Sequence, residues 1–111
     1  MTNSVNSMTA QKEQLLKLVA LKEAHDRLYT NKDFKQIILD GFFVEDCARF
    51  ARESMNHLSS PEERALSLGM AQAAGYLKRF LQAQYSMASS ASTDLHDLGE
   101  MELESERAVN E

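Results

Sequence analysis

At 111 residues the chain holds one domain at most, and 26% charged with 43% hydrophobic residues is ordinary globular composition. The formal net charge of -5 divides unevenly: residues 1–93 carry 11 Lys/Arg against 10 Asp/Glu, and residues 94–111 carry Arg107 against seven acids. A near-neutral body lacks the basic footprint of a nucleic-acid binder, and no run of about 20 apolar residues is present to cross a membrane.

Ala, Leu, Glu, Gln, Lys and Met, the good helix formers, are plentiful, while Val, Ile and Thr are scarce. The fold class expected is therefore all-α. The opening MTNSVNSMTAQKEQ is polar, without the apolar run of a secretory signal. The single cysteine, Cys47, excludes an internal disulfide and fits a reducing compartment.

Residues 1–8 are small and polar and read as a flexible arm. A helix is expected from a cap at Thr9 to about Tyr29. Leu15, Leu18, Leu21, Ala24 and Leu28 share one arc, and Leu16, Val19 and Ala20 fall outside it. A helix apolar on several sides lies between two neighbours or pairs with a second chain, so homo-oligomerisation is an expectation.

Asn31 caps a short second helix over 32–40, with Asp33 in its first turn, where the helix dipole favours an anion. Gly41 stands where that helix would stop, since glycine enters the left-handed region without a Cβ penalty. A third helix over about 43–58 has Val44, Cys47, Ala48, Ala51, Met55 and Leu58 as its inward stripe, and Glu45 pairs with Arg49. Phe34, Phe42, Phe43 and Phe50 cluster around the glycine. So small a domain cannot cover all four, which makes Phe42 and Phe43 candidate partner-binding residues.

Ser60-Pro61-Glu62-Glu63 is the strongest local signal: a serine cap, proline in the first turn, and glutamate at the capping-box position. The helix it opens is expected to run to about 83–87. Ala65, Gly69 and Ala73 recur every fourth residue, and a glycine inside a helix costs about 1 kcal/mol against alanine. These three are therefore read as a close-packing face, met by another backbone. Tyr76, Leu77, Phe80 and Leu81 extend the contact, with Lys78 and Arg79 on the polar back as the candidate nucleic-acid contacts. SMASSASTD reads as a linker. The acidic tail interleaves Leu95, Leu98, Met101 and Leu103 with acids, as a motif that folds into a partner groove does.

Chemistry finds little footing. His25, His57 and His96 lie on separate segments, none with a second histidine or cysteine at metal spacing. Cys47 reads as an inert buried thiol. Glu45-Asp46 and Glu62-Glu63 are adjacent, and adjacent helical residues do not face each other. The four glycines are isolated, so no phosphate loop exists. No enzyme activity, metal or cofactor is expected.

The stretch DFKQIILDGFFVEDCARF resembles small uncharacterised tailed-bacteriophage proteins. The shared pattern falls on Asp33, Phe34, Lys35, Ile38, Leu39, Asp40, Gly41, Phe42 and Phe43, and YLKRFLQ (76–82) is similar to its end. The resemblance spans roughly residues 15–83. Such proteins tend to be encoded near head and portal genes. That implies a role in virion assembly or as a minor virion component, in the cytoplasm of an infected bacterium or on the virion.

The expectation is thus a small bundle of about four helices, two long and two shorter, the long pair antiparallel. Its parts are a flexible arm (1–8), a helical domain (9–87), a Ser/Ala linker (88–93) and an acidic tail (94–111). The expected function is non-catalytic protein–protein interaction, with a phage structural protein or a host protein as partner. The alternatives are a small inhibitor of a host protein and a DNA-binding regulator using Lys78 and Arg79.

Overall fold

The computed structural model describes the backbone of residues 2–110 and the side chains of residues 7–109. Among these residues the chain is all-helical, without a strand. It forms three continuous helical runs, not four. The first helix is Thr2–Thr30. A middle run joins an α-turn, Lys32–Phe34, to a π-helix, Lys35–Asp46, and an α-helix, Cys47–Ser54. The last helix, Pro61–Asn110, is 50 residues long.

Two of the three caps read from the sequence, Asn31 and Ser60, are in place. Asn31 Oδ1 accepts the Phe34 N–H at 2.9 Å, and Ser60 Oγ accepts the Glu63 N–H at 3.1 Å. Ser60→Ala is expected to cost about 0.5–2 kcal/mol in a thermal melt, the usual loss of an N-cap. The first helix starts at Thr2, not Thr9, so the arm is helical from its second residue, while Met1 and the side chains of residues 1–6 lie outside the described residues.

Gly41 does not stop a helix. No glycine has a positive φ, and Gly41 lies inside the π segment. A Cβ built there would meet the Gln36 carbonyl oxygen at 2.8 Å. Gln36 stands five residues back, the π repeat. The wider winding also moves the third-helix stripe. Each residue turns by less than the 100° of an α-helix, so Val44 ends exposed while Phe42, Phe43, Cys47 and Phe50 are half-buried.

The α-segment ends at Ser54 rather than 58. Ser54 Oγ donates to Ala51 O at 2.6 Å, and Asn56 Oδ1 accepts the Leu58 N–H at 3.0 Å. An Asn side chain bonding its own backbone competes with the helix ladder, and it leaves Met55 and Leu58 exposed. Arg49 bonds Asp46 at 3.5 Å and Glu53 at 3.3 Å, in place of the expected Glu45, and lies 4.5 Å over the Phe50 ring. These are exposed contacts of small individual worth.

The chain divides into two compact units, Met1–His25 with Gln84–Glu111, and Asp26–Ala83, where a single domain over 9–87 was expected. In the first unit the two long helices run antiparallel, but the first helix meets residues 84–102, expected to be linker and tail, rather than a helix ending at 83–87: Lys12 meets Glu102, Leu15 packs with Ala91 and Leu98, and His25 reaches Gln84. Leu18 and Leu95 close over the core. Residues 88–93, read as a linker, lie inside the last helix. Alanine is the best helix former, and Ala88 and Ala91 are buried. Their small side chains let the first helix approach, a packing reason that composition alone does not reveal.

In the second unit the middle run packs against residues 61–83. Cys47 Sγ lies 3.7 Å from Ala71 O, and Ser67 Oγ donates to Glu53 Oε2 at 3.4 Å. Ala74 is buried there, and Ser67, Ala71 and Leu81 are half-buried. Over this stretch the last helix therefore turns Ser67, Ala71, Ala74 and Leu81 inward.

Candidate protein-interaction surface

The inward register 67, 71, 74, 81 leaves most of the large apolar residues between 61 and 83 outside. Leu66 is 69% exposed, Tyr76 72% and Phe80 57%. Leu68, Met70 and Leu77 are exposed as well. Between Arg64 and Lys78 the helix carries no charged residue, which is unusual for a water-facing surface. Ile37 and Val44 add exposed apolar area on the middle run. Phe80 and Leu77, read from the sequence as core, and Tyr76, expected to extend that contact, are the clearest correction: packing covers Ser67, Ala71, Ala74 and Leu81 instead.

The close-packing face Ala65, Gly69 and Ala73 has no neighbour within the chain. All three are exposed, and a Cβ on Gly69 would meet nothing within 4 Å. Gly75 and Gly99 are equally open. Phe42 and Phe43 are each half-buried, their ring centroids 6.1 Å apart. They cover one another as much as they offer themselves.

The four tail residues separate into two sets. Leu98 is buried and Leu95 half-buried, both against Leu15. Met101 and Leu103 are exposed. A continuous helix through residue 110 and the pairing with the first helix explain the split: one face of the tail is structural, the other free. Lys78 and Arg79 are exposed as anticipated, but Lys78 lies two residues from Phe80 and from Tyr76, roughly 200° round the helix at 100° per residue. Arg79, three residues from Tyr76, does stand beside it, so one base and one aromatic share a face.

The titratable groups are scattered. His25 is buried, its Nε2 2.7 Å from Gln84 Oε1 and its ring edge-on to Tyr85 at 5.8 Å. Lys22 lies 5.8 Å from the same tyrosine ring centre. His96 pairs with Glu100 at 3.2 Å within the last helix. His57 is exposed. Among the described residues no three His, Cys, Asp or Glu side chains are grouped to hold a metal ion.

A groove of about 600 Å³ opens between Phe50, Glu53, Asn56, Ser59, Leu66 and Met70. Of its two lining acids, Glu53 and Glu63, Glu53 is engaged by Arg49 and Ser67. The groove adjoins the exposed apolar face through Leu66 and Met70, so it extends that surface. No helix among the described residues is long and apolar enough to cross a membrane. Compared with protein-family models, curated proteins and solved structures, the chain matches none of them.

Proposed function

We propose that this chain is a non-catalytic protein–protein interaction protein. One observation carries the reading. In the unit Asp26–Ala83, Ala74 is the one buried apolar residue among the described residues, while Ile37, Val44, Leu66, Tyr76 and Phe80 stand in water. Ordering a residue costs roughly 1–2 kcal/mol of backbone entropy, and burial of apolar area is the main offset. A unit with so little inside gains its remaining burial from a partner's surface.

The setting is virion assembly, as a phage assembly factor or minor virion component in the infected cell or on the particle. That part rests on the resemblance of residues 15–83 to phage proteins. The partner is a phage structural protein, a host protein or a second copy of the chain.

Light scattering of the chain, alone and with candidate head or portal proteins, tests the reading. The triple variant Leu66→Ser/Tyr76→Ser/Phe80→Ser is expected to keep its helicity and weaken complex formation at least tenfold. A triple variant that binds as well as wild type removes this face from the proposal. Salt-sensitive DNA binding lost in Lys78→Ala/Arg79→Ala would favour the DNA-binding regulator instead. A one-to-one host complex lost in Met101→Ser/Leu103→Ser would favour the inhibitor. Those two tail positions are exposed, so the variant spares the Leu15–Leu98 core.

A further inference from the structure

We infer that the exposed face of residues 66–83 pairs antiparallel with the same face of a second copy of this chain. The inference rests on the interaction reading above and names the partner.

The spacing comes first. Leu66, Gly69, Ala73, Tyr76, Phe80 and Ala83 follow one another at intervals of three, four, three, four and three. That is the seam of a helix that packs along another helix, knobs into holes. All six are exposed in the chain. The seam holds no charged residue, and neither do Met70 and Leu77 beside it.

Side-chain size then selects the partner and its direction. In an antiparallel pair about a two-fold axis midway between Ala73 and Tyr76, three layers form. Leu66 faces Ala83 of the second copy, Gly69 faces Phe80, and Ala73 faces Tyr76. Each layer sets one large residue against one small one, and the two-fold repeats each layer on the other side. An isologous interface requires this self-complementarity, since one patch must serve as both surfaces. A parallel in-register pair would instead stack Gly69 on Gly69 and Tyr76 on Tyr76, leaving a void in one layer and a clash in another.

The open space at Gly69 is the receptacle this pairing needs: nothing within the chain comes within 4 Å of a Cβ there. The cost of a mid-helix glycine, unexplained by any contact inside the chain, is offset by admitting the Phe80 ring. The area is adequate. A covered aromatic accounts for roughly 150–250 Å². Tyr76 and Phe80 have 72% and 57% of their surface left to cover, and in both copies, with Leu66, Met70 and Leu77, they bring the pair to about 1,000 Å², the least a specific interface needs.

Sedimentation equilibrium of the full chain over a concentration series tests this, with circular dichroism as the check on folding. Wild type is expected at twice the 12.5 kDa chain mass. Gly69→Leu fills the receptacle and is expected at the single mass, with helicity retained because the site is open within the chain. Gly69→Leu/Phe80→Ala moves the large group across the layer and is expected to restore the double mass, which only facing residues can do. If Gly69→Leu loses helicity, Tyr76→Ser carries the same expectation of a single mass. A wild-type monomer, a dimer indifferent to Gly69→Leu or to its Tyr76→Ser stand-in, or a folded double variant that stays monomeric overturns the pairing. The interaction reading itself falls only if the triple-serine binding test also fails, so the two failures are distinguishable.

Discussion

Replacing Leu98 with alanine is expected to lower the unfolding free energy by about 2–4 kcal/mol, the range for a buried leucine cut back to a methyl group. Leu98 is 9% exposed and meets Leu15, also 9% exposed, with Ala91 beside them. The core of this unit is small, so a cavity there removes a large share of its apolar burial. Leu103→Ala, five residues further along the helix at an exposed position, is expected to stay within about 0.5 kcal/mol of wild type. Chemical denaturation of the two variants side by side reads the difference. Hydrogen exchange should place the Leu98→Ala loss in residues 8–25 and 84–103. Equal stability of the two variants would mean that the acidic segment does not pack on the first helix at all.

The second large effect is a reversal of sign between two glycines. Alanine ordinarily stabilises a helix interior over glycine by about 1 kcal/mol, and Gly75→Ala is expected to do so, since its Cβ would meet nothing within 4 Å. Gly41→Ala is expected to destabilise by about 1–2 kcal/mol. The added methyl would approach the Gln36 carbonyl oxygen at 2.8 Å, and overpacking of this kind costs about 1–3 kcal/mol, more than the propensity gain. That neighbour is backbone in the same helical run and cannot swing aside as a side chain would. Thermal melts of Gly41→Ala and Gly75→Ala give the answer directly. If both variants gain stability, residues 35–46 wind as an ordinary α-helix and the close carbonyl is not there.

Local chemistry was legible where it acts within a few residues. The caps at Asn31 and Ser60 read correctly because an N-cap needs only a short polar side chain and the N–H three residues on, at 2.9 Å and 3.1 Å here. The helical class was legible from composition, and the apolar arc that includes Leu15 and Leu18 marked the first helix as one that packs on another. Gly41 was misread because the isolated sequence offers two reasons for a glycine, a left-handed turn and a close backbone approach. Only the winding of the run distinguishes them. The Ser/Ala segment 86–94 was misread because composition reports flexibility in the unfolded chain, whereas burial of Ala88 and Ala91 depends on a helix some 70 residues earlier.

The candidate surface was half legible. Gly69 was marked as a place where a backbone comes close, yet no backbone of this chain does. Tyr76 and Phe80 were assigned to the interior because large apolar side chains usually go inside. Sequence by itself determined the helical class, two of the caps, the acidic end and the absence of a charge between Arg64 and Lys78. Tertiary structure alone decided which face of the last helix is covered. The middle run covers Ser67, Ala71, Ala74 and Leu81, and that register presents Leu66, Tyr76 and Phe80 to whatever lies beyond.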